Sequence, residues 1–176
     1  MGPDPALVPA GLGRDPSPGE LMPSPEVTIR RAAPADLPWL AAIETASFRQ
    51  PWPEDFLEAY LADRESMFLV AEVPKLAGFL IAREERYADG RRAFHVHDIA
   101  VAPAERRRGV ASVLLAELIR IALAQGVSLL RLEVRRTNYG ARAFYEHHGF
   151  REIGRVPRFY EDGGDAIRME RTLASG

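Results

Sequence analysis

The sequence predicts one α/β (α+β) domain with a mixed, mostly antiparallel central sheet flanked by helices, in the order β-α-α-β-β-β-α-β-α-β-β. Three observations predict it. Strand-like segments between residues 67 and 101 are joined by short turns, which suits antiparallel pairing. A strand–helix–strand unit follows over 93–134, and such a crossover makes its two strands parallel. A length of 176 residues with 47% hydrophobic content suits a single core.

Residues 26–31 alternate and hold a β-branched pair, the pattern of a short strand. Pro34 and Asp36 open a helical stretch that reaches about Ser47. Pro53, Glu54 and Asp55 suit a first helical turn, where proline gives up no hydrogen bond and acids meet the positive end of the dipole. That helix runs to about Asp63. Residues 67–73 are an apolar strand, Pro74 and Lys75 a turn, and 76–83 the next strand. Asp89-Gly90 is a hairpin signal within 87–92, followed by a strand over 93–101. Val110, Leu114, Leu118 and Ile121 share one face of a helix over 110–124, which Gly126 ends. Residues 128–134 are a strand, 138–148 a helix ended by Gly149, and 150–156 and 165–171 the closing strands.

Composition narrows the chemistry. The chain has no cysteine, which excludes disulfides, thiolate metal sites and a cysteine nucleophile. A net charge of −2 argues against a protein that coats nucleic acid, so no direct nucleic-acid binding is expected. No apolar run is long enough to span a bilayer, so no membrane partner is expected either. Residues 1–25 hold 7 of the 14 prolines and 4 of the 14 glycines and read as a disordered tail before a domain spanning 26–176. They lack the basic start and apolar stretch of a signal peptide, which leads to an expected cytoplasmic location. His95 and His97 share a strand face, and His147 and His148 point apart on a helix; neither pair gives convergent metal ligands, and no metal is expected.

The sharpest signal is at 99–115. The strand residues Ile99, Ala100 and Val101 lead through Ala102-Pro103 to Arg106-Arg107-Arg108-Gly109-Val110-Ala111-Ser112 and a long helix. Helix N-termini carry partial positive charge, so three arginines there are anomalous unless an anion sits between them and the amides. Gly109 and Ala111 let a ligand approach those amides, and a pyrophosphate fits; a solvated basic loop is the alternative.

Arg106-x-x-Gly109-x-Ala111 after an apolar strand resembles the Q/R-x-x-G-x-G/A motif of the GNAT acetyltransferases, and the element order agrees with the GNAT fold. The resemblance implies acetyl-CoA as co-substrate. It assigns the pyrophosphate to Arg106, Arg107, Arg108, Gly109, Val110, Ala111 and Ser112, the acetyl and pantetheine portion to Ile99, Ala100 and Val101, and a cofactor-binding role to Asn138. Leu132-Glu133-Val134-Arg135, Asn138, Ala143-Phe144-Tyr145-Glu146 and Gly149-Phe150 further resemble N-terminal protein acetyltransferases of the RimI and archaeal Ard1 type. Ser47-Phe48, Pro51-Trp52 and the run from Arg158 through Tyr160 to Met169 match two more segments of that group.

Acetyl transfer to an amine requires removal of a proton from the amine and return of one to the thiolate. Tyr145 lies seven residues after Asn138 on one helix face, so it can line the same cleft, and the resemblance makes it the acid; core packing is the alternative. Glu133 faces away from Leu132 and Val134, beside Arg131 and Arg135. The resemblance makes it the base, with Asp98 as rival and a structural ion pair as the alternative. Phe48, Trp52, His97 and Tyr160 are the expected acceptor-binding residues. Together these imply a RimI-like enzyme acting on a protein or peptide N-terminus, a ribosomal protein being one candidate, by direct transfer. A small-amine acetyltransferase and a silent acyl-CoA-binding module remain alternatives.

Overall fold

The computed structural model describes residues 26–174, so the expected tail, residues 1–25, lies outside the described residues. The strands are β1 (Thr28–Arg31), β2 (Ser66–Val73), β3 (Lys75–Arg86), β4 (Arg92–Val101), β5 (Leu129–Arg135), β6 (Arg151–Val156) and β7 (Ala166–Thr172). The helices are α1 (Leu37–Ser47), α2 (Glu54–Ala62), α3 (Val110–Ala124) and α4 (Tyr139–His147). The strands form a seven-stranded sheet in the order β1-β2-β3-β4-β5-β7-β6. All neighbours are antiparallel except β4 and β5, joined through α3 as the crossover pattern predicts.

Most boundaries shift by a residue or two from the sequence reading, and two shift by three. The helix expected from Pro34 begins as a 3-10 turn over Pro34–Asp36, and α1 proper starts at Leu37. Asp36 anchors that turn, accepting the Ala33 N–H at 2.7 Å and both guanidinium branches of Arg30 at 2.8 Å. Strand β3 extends three residues past Arg83, because its pairing with β4 continues to Arg86 opposite Arg92. Gly126 and Gly149 end α3 and α4 as expected, both at positive φ, where glycine is unstrained.

The two sheet faces carry separate cores. One packs α3 and α4 on Leu80, Phe94, Val96, Ile99, Leu130, Leu132 and Met169, with Leu114, Leu118 and Tyr145 from the helices. The other packs α1 and α2 on Phe68, Val70, Phe79, Ile81 and Ala100, with Leu40, Leu57 and Trp52. Each fully buried leucine or isoleucine contributes about 1.5–3 kcal/mol, so the many aliphatic side chains in these layers hold the sheet rigid between them.

The cleft comes from where this pairing stops. β4 and β5 pair only at Ala93↔Leu129, Phe94↔Leu130 and His95↔Arg131. Against β3 the register then shifts, Ala82 facing Val96 but Ile81 facing Asp98, so His97 is an extra residue and β4 bulges there. A bulge bends and twists its strand. From it onward β4 and β5 no longer bond to each other, leaving facing backbone edges over Ile99–Val101 and Leu132–Val134.

Candidate active site

Three groups of side chains meet at this split. On the α1–α2 face, the bulge puts His95, His97 and Asp98 together. Glu133 of β5 is 2% exposed and lies two residues beyond the last β4–β5 pair. His95 Nε2 contacts Glu133 Oε2 at 2.5 Å, and His95 Nδ1 contacts Glu85 Oε1 at 2.9 Å. Carboxylates only accept, so both ring nitrogens donate and His95 is an imidazolium. Burial opposes that charge, but the bonds to Glu133 and Glu85 outweigh it and raise the pKa. Arg131 and Arg168 each donate to Glu133 Oε1 at 3.2 Å. Burial pushes the Glu133 carboxyl up, yet His95 and Arg131 prevail and hold it at about 2. Glu133 is therefore a fixed anion at neutral pH.

His97 behaves in the opposite way. Its ring lies 4.3 Å from that of His95 and 5.6 Å from that of Tyr60, which stacks on Trp52 at 5.2 Å. Burial and then the charge of His95 lower its pKa to about 4, so it is neutral where His95 is charged. Phe48 and Trp52 are nearly buried in the α1–α2 core, and Trp52 donates its backbone N–H to Glu44 at 2.8 Å. Tyr160 comes from the β6–β7 connection, with the Arg135 guanidinium 4.1 Å above its ring. Arg135 also pairs with Asp162 at 3.0 Å, which ties that connection to the end of β5.

Tyr145 reaches the split from the other face. Asn138 caps α4 by accepting the Ala141 N–H at 3.1 Å. The α4 terminus is fixed by the Phe150 N–H donating to the Tyr145 carbonyl at 3.0 Å. The Tyr145 ring packs edge-on against Phe144 and Phe150 and is fully buried. Its hydroxyl has no hydrogen-bond partner among the described residues. An unpaired buried hydroxyl is uncommon and costs stability. Burial raises its pKa, and so does the charge of Asp98. Asp98 belongs to the opposite face, so its charge acts on the phenol across the sheet.

The third group is the loop into α3. Arg106 folds back on the Val101 carbonyl at 3.2 Å and toward Ser47 Oγ at 3.5 Å. Arg108 pairs with Glu105 at 3.1 Å, while Arg107, at φ 67°, makes no hydrogen bond or ion pair among the described residues. Gly109 is the N-cap at φ 74°, and no side chain caps the helix. Open space surrounds the position of a Cβ there. The first amides of α3 are thus left to an anion. Val110 and Ala111 are buried beneath them, and Ser112 Oγ meets His148 Nε2 at 3.0 Å. Uncapped amides, an exposed arginine, unpaired strand edges and an orphaned phenol together fit a long anionic thioester such as acetyl-CoA.

The sequence reading weighs His95 only as a metal ligand beside His97 and gives Glu44 no role. The alternation of His95 with His97 was a signal, but pairing His95 with Glu133 requires the β4–β5 register. Among the described residues, no group of three or more His, Asp or Glu side chains is arranged to hold a metal ion, and no helix is long and apolar enough to cross a membrane.

This fold and cleft define an acyl-CoA-dependent transferase, and the comparisons agree. The acetyltransferase (GNAT) family profile matches residues 37–150, and the chain belongs to that family: it is an N-acetyltransferase that uses acetyl-CoA. It is 34% identical over 145 residues to the ribosomal protein bS18-alanine N-acetyltransferase of Escherichia coli, covering 81% of this chain and 95% of that one. It is 30% identical over 157 residues to an N-alpha-acetyltransferase of Saccharolobus solfataricus, covering 84% and 94%. The crystal structure of the Escherichia coli ribosomal-protein-S18-alanine N-acetyltransferase superposes with a TM-score of 0.75 at 30% identity, over 86% of this chain and 96% of that one. The chain spans 40% of a longer Mycobacterium leprae protein to which it is 36% identical over 155 residues.

Proposed function

We propose that the protein acetylates the N-terminal α-amine of a protein or peptide in one direct step, with residues 26–176 as the catalytic domain. The observation that carries this reading is the buried, orphaned phenol of Tyr145 on one face of the sheet, with the fixed anion Glu133 on the other side. The similarity to RimI-type and archaeal N-alpha-acetyltransferases supports an α-amine as acceptor, a ribosomal protein being the first candidate, which would set the reaction in the cytoplasm.

Acetyl-CoA, when bound, supplies the activated acetyl group. The amides of α3 from Gly109 on, with Arg107, would hold its pyrophosphate; Arg106 folds back on the Val101 carbonyl, Arg108 pairs with Glu105 at the surface, and the free edge at Ile99–Val101 would bind the amide-bearing arm. Its raised pKa keeps the Tyr145 hydroxyl protonated at neutral pH, so the proton is available to the departing sulfur and Tyr145 acts as general acid. Glu133, held at about 2, is too weak a base to keep the proton, so its charge draws the ammonium form in and orients the water through which the proton leaves to solvent. The task is modest, because an α-amine with an ordinary pKa near 7.7–8.0 is already partly neutral at pH 7. His97, Trp52, Phe48 and Tyr160 border the acceptor.

Thiol release with a peptide library varied at its first residue, run beside polyamines, tests the reading. Peptides with free α-amines should drive release, those beginning with alanine among the best. Release with polyamines alone would make the enzyme a small-amine acetyltransferase. Acetyl-CoA binding without release on any amine would leave a silent binding module.

A further inference from the structure

Two acids are buried together where α1 crosses β4. Glu44 is 2% exposed and Asp98 1%. Glu44 accepts the Trp52 backbone N–H through Oε1, its buried Oε2 receives no N–H or O–H donor among the described residues, and the Asp98 carboxyl is close enough to act on it as a hydrogen-bonding partner. An ionised carboxylate can only accept, so two carboxyl groups joined this way hold one proton between them. Two bare anions so close in a buried site would repel strongly. The pair occupies a structural junction: Glu44 lies in the last turn of α1, Trp52 begins the approach to α2, and Asp98 follows the His97 bulge.

We propose that Glu44 and Asp98 share a single proton and act as positioning residues, holding the segment from Phe48 to Pro53 against β4 and thereby shaping the acceptor side of the cleft. The last clause rests on the proposed function; the shared proton does not. While the proton is present, the Glu44 carboxyl both accepts from Trp52 and bonds Asp98. Its loss turns the second contact into repulsion between α1 and β4, at the point where the segment is pinned.

The titratable groups around the pair are distinct. Tyr60 of α2 and Tyr145 of α4 both feel Asp98, and Arg83 of β3 and Asp63 act on Tyr60 in turn. His97 of β4 titrates at about 4. Burial holds Glu44 above the ordinary carboxylate range, against the opposing bonds from Asp98 and the Trp52 N–H. A raised acid contributes stability that is complete below its unfolded pKa and is lost as pH rises through the folded one.

Glu44→Gln separates the possibilities, because its amide oxygen still accepts from Trp52 and its NH2 group donates permanently to Asp98. The chain has two tryptophans, so Trp39→Phe leaves Trp52 as the reporter of the segment. In that full-length background, Trp52 emission should shift and Tm should fall as pH rises above the ordinary carboxylate range, and adding Glu44→Gln should abolish both changes. Glu44→Ala should raise the peptide KM by about tenfold, the scale of one lost buried hydrogen bond, with acetyl-CoA affinity unchanged and Glu44→Gln restoring KM. Identical pH profiles with and without Glu44→Gln would overturn the shared proton. An unchanged peptide KM in a folded Glu44→Ala protein would overturn the positioning role. If Glu44→Ala does not fold, Asp98→Asn supplies a second check, since it too should abolish the pH-dependent fall in Tm. If no peptide is a substrate, the proposed function fails, while emission and Tm still decide the proton.

Discussion

Tyr145 shows how one atom can carry a functional argument. Its ring is ordinary core, and only its hydroxyl is out of place, buried without a partner. Tyr145→Phe removes that oxygen and keeps the packing. Turnover should drop by roughly 10²–10⁴-fold, the usual contribution of a general acid. Acetyl-CoA affinity should hold, and Tm should stay level or rise, because an unsatisfied group is lost. Stopped kinetics and a thermal melt on the same variant check both halves; a folded variant with full turnover would restore tyrosine to a packing role. Glu133→Gln is expected to behave differently. It leaves His95, Arg131 and Arg168 without their common anion, so Tm should fall. Turnover at neutral pH should fall well over tenfold, by loss of the anion that draws in the amine and orients its proton's exit, and recover in part at high pH, where the amine deprotonates in solution. If Asp98→Asn shows that pattern and Glu133→Gln does not, the base is Asp98. Both Tyr145 and Glu133 were legible in the sequence through their family motifs. What was not legible was the state of Glu133, because the imidazolium that sets it comes from another strand 38 residues away.

At the scale of elements, the approach to α3 is the part most fully written in the sequence. An apolar strand, a small-residue helix start and a cluster of arginines stand in one short run, so local chemistry exposes them. The arginines nevertheless differ: Arg106 folds back on the Val101 carbonyl, Arg108 pairs with Glu105 at the surface, and Arg107 is exposed without a partner among the described residues. Charge counting cannot separate these roles, since it ignores which side chain the turn directs inward. The bulge at His97 was equally hidden: β4 reads as an unbroken strand, and the extra residue exists only relative to β3. Gly109→Trp tests the element as a unit. The free space around Gly109 lets the side chain fit, and its left-handed φ costs about 1–2 kcal/mol. The protein should fold with a lower Tm and lose most of its affinity for CoA, read by calorimetry. Unchanged CoA affinity would remove the pyrophosphate from the start of α3.

For the whole molecule, the two cores make the sheet a rigid partition, with Tyr145 packed on one face of it and Glu133 on the other. The order of elements foretold this layout, because alternation and crossover rules fix which faces are covered. Buried charge was beyond its reach, and that charge sets the acid limit of stability. His97 has a lowered pKa, so the stability tied to its neutral form is present above its unfolded value and disappears as pH falls through about 4. Glu133, also lowered, loses its contribution as pH falls from the ordinary carboxylate range toward about 2. Tm should therefore decline in two stages on acidification. His97→Asn should flatten the first stage and spare the second; an unaltered first stage would assign it to other groups.

The central claim is transfer to an α-amine at the split between β4 and β5. It is tested most directly with a peptide beginning with alanine and carrying one internal lysine, incubated with acetyl-CoA and the full-length enzyme, the acetyl group then being located by fragmentation mass spectrometry. The expected result is acetylation at the N-terminal α-amine alone, with Tyr145→Phe strongly slowing its formation. Acetyl found only on the lysine, or formed equally fast by Tyr145→Phe, would contradict the account.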